Sequence, residues 1–377
     1  MGAEKLEVFR LNQDSPGADA VVVHDQALIH SGMILPTDEE GHVTADTFAA
    51  QLSQLGNNLE QLIKSTGSDL QDVVSLRYYV SEAKHLELMR TFKLNGNVAI
   101  TLAVTPLPDS AAQVGAEVVF CSEKTYHQVY CLPSPIKGAR LTVLPRGRAV
   151  YISGQLEKGE GTIETARLTM EGLHKTLEHI GLDDSHVVYI RTFVDPISKV
   201  DEVDEVIHSF YPKQARPSVT HVEWKTTDSI EIEMIAYAPE EIEIEGADQA
   251  ESVQHFWLPW LTISPVYCRW TLINSPDRIY ISEQLGMNSD THEAEIHEIF
   301  GRIKEILAGT GSDLNSLAKA TYFTTNAEVS KPFGEIRPEY YDPQHPPAAS
   351  LARIEAIALE GKSIAIDMIA APVQSGK

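Results

Sequence analysis

The sequence is poor in the residues that mark a disulfide-bonded or metal-binding domain. Among 377 residues there are only three cysteines, Cys121, Cys131 and Cys268. Their number is odd, and none of them forms the close pair that zinc sites and disulfide frameworks use. Reduced thiols in a cytoplasmic protein are therefore expected, with neither a metal nor a cofactor.

Basic residues and long apolar runs are also scarce. The chain has 30 Lys and Arg against 54 Asp and Glu, which gives a formal net charge of -24. A polyanion repels phosphate backbones and anionic lipids, so neither nucleic acid nor a membrane surface is an expected partner. No run of 18 apolar residues is present to span a membrane, and the first residues contain no apolar segment of a signal peptide.

What the sequence does contain is one pattern that occurs three times. An apolar strand ends in a serine at "ALIHSGMI" (27–34), "AVYISGQL" (149–156) and "RIYISEQL" (278–285), and the serines are Ser31, Ser153 and Ser282. After each strand, apolar residues recur every three or four positions, which predicts an amphipathic helix against a sheet. Each helix is expected to end at a glycine, namely Gly67, Gly181 and Gly311.

Further strands complete each unit. A strand follows each helix at "VVSLRYYV", "VVYIRTFV" and "LAKATYFT", and then come a second helix and a pair of strands. The order β-β-α-β-α-β-β predicts three domains at 1–124, 125–245 and 246–377, since one hydrophobic core rarely organises so long a chain. Of the linkers, the acidic run 239–252 is expected to be a solvated tether rather than an extra edge strand.

Several of these stretches together are similar to the RidA (YjgF) family of small imine and enamine deaminases. They are the strand and SGQ turn at 149–155, the helix ending in "HIGLDDSHVV", and "ARPSV" followed by "SIEIEMIAY". The second unit matches best and the first matches least. The resemblance implies an α+β fold of the chorismate-mutase type, with two helices on one side of each sheet, and a homotrimer whose active sites lie between subunits.

Three such units in one chain suggest an intramolecular pseudo-trimer. The open apolar face of each sheet must be covered, and covalent fusion keeps the neighbouring units at high effective concentration. Two alternatives stay open, namely three separate domains and pairing of units between chains. The sequence also leaves open whether whole chains associate further into homo-oligomers.

The resemblance implies two catalytic residues. In the family an arginine at the position of Arg216 binds the substrate carboxylate, which suits the planar fork of a guanidinium. A glutamate at the position of Glu231 is proposed in the family to place the attacking water. One catalytic cleft containing Arg216 and Glu231 is therefore expected, because the aligned residues in the other units are Ile100 and Ala349 for the arginine, and Gly115 and Ala365 for the glutamate.

The resemblance also implies residues that contact the ligand. Ser153, Gly154 and Gln155 form the SGQ turn and are expected to contact it. A tyrosine that lines a neighbouring subunit's cleft in the family is replaced by Arg140, Arg269 and, in the first unit, Ala18, which favours a larger or dianionic ligand. Which unit faces Arg216 is left open. Two plainer interpretations remain, an ion pair between Arg216 and Glu231 and a simple strand-ending turn at 153–155.

Two other motifs fail on spacing. In "HEAEIH" (292–297) the histidines are five residues apart, so they do not share a helix face as a zinc motif requires. "EGKSI" (360–364) lacks the leading glycine of a phosphate loop and lies between two strands, so a hairpin turn is predicted. No metal ligand is predicted at either place.

These observations give one functional hypothesis and one alternative. The first is hydrolysis of small imines or enamines derived from amino acids to 2-keto acids and ammonia. The alternative is a non-catalytic or regulatory protein that binds a small carboxylate on the same fold. In both, the expected partner is a small carboxylate-bearing ligand. Ribonuclease activity, which is also attached to the family, is disfavoured by the net charge of -24.

Overall fold

The computed structural model describes residues 4–13, 17–92, 96–225 and 228–374. Its elements follow the three predicted units in chain order. The first unit contains β1 (Leu6–Phe9), β2 (Ala20–Val23), β3 (Ala27–Ser31), α1 (Phe48–Ser65), β4 (Val73–Val80), α2 (Leu86–Thr91), β5 (Ala99–Val104) and β6 (Val114–Ser122).

The second unit repeats this order. It contains β7 (Tyr130–Leu132), β8 (Leu141–Leu144), β9 (Ala149–Gln155), α3 (Thr162–His179), β10 (Val187–Val194), α4 (Val200–Ser209), β11 (Ser218–Glu223) and β12 (Ile230–Tyr237). The third unit contains β13 (Val253–Phe256), β14 (Trp270–Ile273), β15 (Arg278–Leu285), α5 (His292–Gly309), β16 (Leu317–Thr324), α6 (Ser330–Ile336), β17 (Ala348–Arg353), β18 (Ala356–Ile357) and β19 (Ile364–Ala370).

Each unit begins with one strand more than the sequence predicted. The additional strands are β1, β7 and β13, of three or four residues each. Segments this short contain too few alternations of apolar and polar residues to give a strand signal. The prediction of two strands before the first helix was therefore wrong in all three units.

The long helices pack one apolar stripe on the outer face of each sheet. In α1, for example, Leu52, Leu55, Leu59 and Leu62 are all buried, as spacings of three and four residues predict. The predicted terminal glycines follow the helices with positive φ angles of 92° at Gly67, 79° at Gly181 and 73° at Gly311. A left-handed conformation is easily adopted by glycine, so these positions end the helices as expected.

Strands from different units share each sheet. The three sheets have the orders β1-β2-β15-β19-β16-β17, β11-β10-β12-β9-β14-β13 and β18-β5-β4-β6-β3-β8-β7. The first two strands of each unit thus pair with a neighbouring unit: β2 with β15, β8 with β3, and β14 with β9. Each sheet boundary therefore lies two strands after the predicted start of a unit. This cyclic exchange of strands joins the units into one ring. The α+β class and the intramolecular pseudo-trimer are confirmed, and the alternative of separate domains is excluded.

The inner faces of the three sheets pack together around a common axis. One cluster on this axis contains Leu28, Tyr151 and Tyr280, one from each unit. A second cluster, further along the axis, contains Tyr79, Phe193 and Phe323, again one from each unit. The outer faces pack against helices in three separate clusters. Both faces of every sheet are therefore buried, which explains why nearly all residues of the central strands are buried.

Between the two axial clusters lies a layer of charged side chains, here called the axial ion ring. Its carboxylates come from Glu117, Glu233 and Asp367, and its cations from Arg77, Arg191 and Lys319. Arg77 binds both oxygens of Asp367 at 2.7 Å, and Arg191 binds Glu233 at 2.7 Å. Both arginines also bind Glu117, so this carboxylate connects two units. The guanidinium charges of Arg191 and Arg77 outweigh burial and lower the pKa of Glu117 to about 2.

The third unit supplies its cation from a strand position two residues earlier than the position of the arginines in the other units. The register pairs Arg77 with Glu117, Arg191 with Glu233, and Thr321 with Asp367. Thr321 thus stands where the other units have arginine. Lys319, two residues earlier on the same face of β16, reaches Glu233 at 2.6 Å instead. The number of positive and negative charges in the ring stays equal, as buried ion pairs require.

The acidic linker 239–252 does not run free through solvent. It contains no strand among its residues, as predicted, but Ile244 is buried in the core of the second unit. Arg148 is buried beside it and donates to the carbonyl of Ile242 at 2.7 Å. The linker is therefore a packed connection, and the prediction of a solvated tether was wrong because Ile242 and Ile244 pack against the core of the second unit.

We expect Glu233→Ala to destabilise the fold strongly. The change leaves Arg191 and Lys319 buried without their common partner, which should cost roughly 3–5 kcal/mol. The control is Glu171→Ala, which removes an exposed partner of Arg167 on α3 and should cost at most about 0.5 kcal/mol. Urea unfolding midpoints measure both changes. Equal effects of the two substitutions would contradict a structural role for the axial ion ring.

Candidate functional site

Three equivalent seams lie where the end of a strand in one unit meets β11, β17 or β5 of a neighbouring unit. At the seam of units 1 and 2, Met33 N donates to Val219 O at 3.2 Å. At the seam of units 2 and 3, Ala349 N donates to Ser153 Oγ at 2.8 Å. At the seam of units 3 and 1, Ile100 N donates to Ser282 Oγ at 3.1 Å. These seams are the places where clefts between units can form.

In the first unit, two residues that correspond in the structure to motif positions of the other two units lie one position later in the chain than the alignment of the sequence motifs predicts. The backbone N–H groups of Gly32, Ser153 and Ser282 each donate at 3.0 Å to a carbonyl in the residue before β8, β14 or β2. Gly32, and not Ser31, is therefore the counterpart of Ser153. The accepting residues are Arg140, Arg269 and Asp19, so the first-unit counterpart of Arg140 is Asp19, and the predicted Ala18 was wrong.

Arg216 lies at the seam of units 1 and 2, which answers the question of which unit faces it. Its carbonyl accepts a hydrogen bond from Cys131 Sγ at 3.1 Å, and β7, which carries Cys131, belongs to the sheet of unit 1. Arg140, from the residue before β8, lies nearby. Burial, and then the positive charge of Arg216, lower the pKa of Arg140, opposed by Asp204. Two half-buried guanidinium groups thus converge on this seam.

The seam contains a cleft of about 180 Å³ between the two units. Unit 1 contributes Gly32, Met33 and Leu35 to its lining, and the second-unit residues include Arg140, Val219 and His221. Asp204, which is partly exposed, and Asp201, which is exposed, also line the cleft. The volume is below the roughly 300 Å³ at which drug-sized pockets begin, so the cleft suits a small ligand.

Asp204 organises two histidines beside the arginines. Its oxygens lie 3.3 Å from His221 Nε2 and 3.2 Å from His208 Nδ1. The second nitrogen of His221 lies 2.8 Å from Thr192 Oγ1, so both of its nitrogens are engaged. His208 Nε2 is buried with no partner among the described protein atoms. Burial lowers the pKa of His208 to about 4, so this imidazole is neutral at pH 7.

Glu231 does not lie in this cleft. Ser218, two residues after Arg216, pairs with Tyr189 on β10, whereas Glu231 pairs with Phe193 at the opposite end of the same strand. At about 3.3 Å per residue, this register separates Arg216 and Glu231 by roughly 20 Å along the sheet. The prediction of a single cleft containing both residues was therefore wrong, and so was the alternative of an ion pair between them.

The predicted counterparts of Arg216 also change. The register places Ser218, Ala99 and Ala348 in equivalent rows, opposite Tyr189, Ser75 and Lys319. Two residues earlier the chain has Arg216, Asn97 and Pro346, so Ile100 and Ala349 are counterparts of Val219 instead. Arginine therefore still occurs at this position in the second unit alone. The asparagine and the proline at the same position in the other two units carry no charge.

Comparison with known proteins decides the family. A model of the family described as Endoribonuclease L-PSP matches residues 140–238 and 267–372, which is more than half of the chain. The chain belongs to the endoribonuclease L-PSP family. This is the group that includes the RidA and YjgF proteins. Both matched segments lie in the second and third units, in agreement with the weaker resemblance of the first.

Solved structures of the endoribonuclease L-PSP family match single portions of the chain. A YjgF-family protein from Neisseria meningitidis is 15% identical over 33% of this chain and 97% of its own, with a TM-score of 0.26. RidA from an Antarctic Psychrobacter is 23% identical over 25% and 80%, with a TM-score of 0.24. A family member from Mycobacterium tuberculosis is 28% identical over 24% and 80%, with a TM-score of 0.23. No curated protein matches the chain.

The SGQ segment lies at the seam of units 2 and 3, away from Arg216, and it is the last part of strand β9 rather than the expected turn. Ser153 Oγ donates to Cys268 O at 2.6 Å, and Gly154 N donates to Ser350 Oγ at 3.2 Å. Gln155 is buried, and its Nε2 lies 3.3 Å from Thr176 Oγ1. Arg269, at the same seam, donates to Thr262 O at 3.0 Å. These residues bind one another and the fold, and their predicted contacts with a ligand stay predictions.

Glu231 fills the space above Gly154. A Cβ atom added to Gly154 would lie only 1.9 Å from Glu231 Oε1, so no larger residue fits there while Glu231 keeps its position. In the third unit the roles are reversed, since Glu283 occupies the position of Gly154 and Ala365 that of Glu231. In the first unit Met33 takes the place of Gly154, and its Sδ lies over Gly115. One large side chain therefore fills this space at each seam.

Both seam glutamates are held in an environment that favours the protonated acid. Burial raises the pKa of Glu231 to about 8, although Lys319 opposes the shift, and burial likewise raises the pKa of Glu283 to about 8. Sequence reasoning missed Glu283 because the motif presents it in place of a glycine. It also missed Asp204, His208 and His221, which lie among ordinary helix and strand residues.

Two further observations on the described residues concern metal-binding sites and membrane-spanning helices. Within them no group of three or more His, Cys, Asp or Glu residues is placed to hold a metal ion. The histidines of "HEAEIH" bind elsewhere, His292 to Ser363 Oγ at 2.8 Å and His297 to Tyr340 Oη at 2.7 Å. None of the helices in these ranges combines the length and apolarity needed to cross a bilayer.

We expect Glu231→Gln to change how stability depends on pH. Between the unfolded pKa of about 4.5 and the folded pKa of about 8, the folded wild type binds a proton that the unfolded chain has lost. Wild-type stability should therefore fall as pH rises through this window, relative to a variant that cannot ionise there. Urea midpoints at pH 5, 6, 7 and 8 measure the difference.

The exposed change Glu171→Gln on α3 is the control, and it should run parallel to the wild type. A constant difference between Glu231→Gln and the wild type from pH 5 to pH 8 would contradict the raised pKa of this carboxyl group.

Proposed function

We propose that the chain binds a small carboxylate-bearing ligand at the seam of units 1 and 2, and that it hydrolyses imines or enamines of amino-acid origin there. The observation that carries the proposal is that Arg140 lines this small cleft and that the charge of Arg216, at the same seam, acts on Arg140. Two guanidinium groups can bind a carboxylate through charge-assisted hydrogen bonds. The type of reaction is inferred from the resemblance to the family, and the binding of the substrate is inferred from the cleft.

The reaction makes modest demands on the protein. Water adds across the C=N bond to give a carbinolamine, whose nitrogen then takes up a proton. The C–N bond breaks as the hydroxyl group releases its proton, which gives a 2-keto acid and ammonia. Fixing the carboxylate orients the carbon of the C=N bond, and orientation alone can supply a large part of the rate enhancement.

We expect Arg216→Gln and Arg140→Gln each to lower kcat/KM for imine hydrolysis by about 10- to 150-fold. Hydrogen bonds to charged groups are worth roughly 1.5–3 kcal/mol, which converts to this range. The substrate is formed in place by an amino-acid oxidase, and keto-acid release is followed with and without the protein. The free imine hydrolyses spontaneously in water, so early time points with and without the protein are compared.

Arg269→Gln is the matched control, because Arg269 occupies the position of Arg140 at a different seam. It should leave the rate unchanged. An equal loss in all three variants, or none in Arg216→Gln, would contradict a site at the seam of units 1 and 2.

A second candidate function is binding of the carboxylate without turnover. The observation that favours it is the side-chain exchange at this seam, where Met33 and Gly115 stand in the places of Gly154 and Glu231. The seam of units 1 and 2 therefore lacks a carboxyl group at this position. In this case the wild type binds small carboxylates but does not accelerate imine hydrolysis.

The double substitution Met33→Gly with Gly115→Glu separates the two functions. A Cβ atom at Gly115 would lie 2.9 Å from Met33 Sδ, and the first change removes that obstacle. If only the acid is missing, hydrolysis should increase by about 10²-fold or more over the wild type. Met33→Gly alone is the control. Retained binding of a 2-keto acid without any gain in rate would contradict the idea that this carboxyl group limits turnover.

A further inference from the structure

A second cleft, here called the aromatic cleft, has a volume of about 260 Å³ and lies where the first strands of unit 3 complete the sheet of unit 2. It shares no lining residue with the cleft that contains Arg140, so it is a separate candidate site. Its lining comes from the end of α3, the acidic linker, β13 with the residue after it, and β14: His179, Ile180, Ile244, Glu245, Phe256, Trp257 and Trp270.

Aromatic side chains form a fixed wall of this cleft. Phe256 and Trp270 are cross-strand partners on β13 and β14, and their rings stack with centroids 3.9 Å apart and an interplanar angle of 6°. Trp270 is only 3% exposed, so it holds the ring of Phe256 from the core side. Phe256 and Trp257 are half-buried and line the cleft. A wall whose rings are already ordered loses little entropy when a ligand binds.

The cleft contains a carboxylate that is not used by the fold. Glu245 is the one carboxylate among the lining residues, and none of them is a lysine or an arginine. It is exposed, and its side chain makes neither a hydrogen bond nor an ion pair with the described residues. The linker 239–252 that carries it contains six Asp and Glu residues and no Lys or Arg. A ligand can therefore meet a carboxylate here without breaking an existing pair.

The C-terminal end of α3 adds to this negative potential. The helix has 18 residues, His179 is the last of them, and Ile180 follows as its C-cap. Aligned peptide dipoles place a partial negative charge of about half a unit at this end of a helix, which attracts cations. An anion in the cleft would thus be repelled by both the helix end and Glu245. The complementary ligand is a cation.

The neighbouring indole shows that an ammonium group binds to an aromatic ring on this surface. Lys175 Nζ, one turn before His179 on α3, lies 4.3 Å from the centroid of the Trp260 ring. The imidazole of His179 packs edge-on against the same ring, at 5.0 Å between centroids. No Lys or Arg of the described ranges lies over Phe256 or Trp257 in this way. The rings of the cleft are therefore open to a cation from outside the chain.

We propose that the aromatic cleft binds a small alkylated ammonium ion, of the size of choline. The charge of the ion lies against the rings of Phe256 and Trp257, and Glu245 provides the counter-charge. Its methyl groups contact Ile180 and Ile244. Such an ion suits the cleft because the faces of aromatic rings attract cations, and because its methyl groups lower the cost of removing the charge from water.

The chemistry of the site favours a free molecule over the headgroup of a lipid. The net charge of -24 repels the anionic surface of a membrane. The volume of about 260 Å³ is slightly below the range of drug-sized pockets, so it suits a ligand of a few heavy atoms.

Choline is the probe, and 3,3-dimethylbutan-1-ol is its neutral isostere, in which a carbon atom replaces the nitrogen. Calorimetric titration of the full chain at constant ionic strength measures the affinity for each. We expect choline to bind roughly 10-fold more tightly than the alcohol, because only the cation gains from the aromatic rings and from Glu245. Equal affinities, no saturable binding of choline, or preferential binding to phosphatidylcholine vesicles would each overturn the proposal.

Two substitutions test the individual contacts. Trp257→Leu keeps an apolar side chain but removes a ring, and Glu245→Gln removes the counter-charge. Each should weaken choline binding by about 5- to 10-fold and leave the affinity for the alcohol unchanged. If Trp257→Leu does not fold, Glu245→Gln decides, because its side chain is exposed.

Glu243→Gln is the matched control, since it removes the same charge from the same linker but lies outside the lining of the cleft. It should keep the wild-type affinity for choline within about 2-fold, because salt screens a charge that the ligand does not contact. Equal losses in the two glutamine variants would overturn the proposal, since they would show attraction to the acidic linker as a whole.

Discussion

The structure depends on closing three sheets around one axis with charges on their inner faces. Glu117 binds arginines from two units, and Glu233 binds Arg191 and, across the next boundary, Lys319. Such buried pairs add little net stability over apolar packing, but they are intolerant of any misplaced partner. They therefore fix the rotation and register of the three units relative to one another, which in turn sets the geometry of every seam.

The exchange of the first strands reinforces this closure. Because β2, β8 and β14 complete the sheets of neighbouring units, no unit can leave the ring without breaking main-chain hydrogen bonds. The same exchange carries Arg140 across to the sheet of unit 1, where the charge of Arg216 from unit 2 acts on it. Because the exchanged strands also border the clefts, each cleft must combine residues from two units.

The three seams have diverged within a constant packing volume. At one position in each, a single large side chain fills the space: Met33 over Gly115, Glu231 over Gly154, or Glu283 opposite Ala365. Close packing permits only one occupant, so an acid at one strand requires a small residue at the other. Seam chemistry can therefore change by exchanging which strand supplies the side chain, while the backbone is left in place.

The sequence by itself determined the three units, the long helices with their terminal glycines, the α+β class and the single arginine at position 216. These follow from local periodicity, from turn geometry and from motif resemblance, which are written along one stretch of chain. Tertiary structure alone decided which residues meet. Alignment of the motif SGM with SGQ made Ser31 the counterpart of Ser153, whereas the structure shows that the counterpart is Gly32. Spacing along the chain also could not reveal that Arg216 and Glu231 lie at opposite ends of β10. Strand pairing and the closure of the ring are long-range choices, made by the burial of whole faces and by the balance of buried charge, and no local pattern records them.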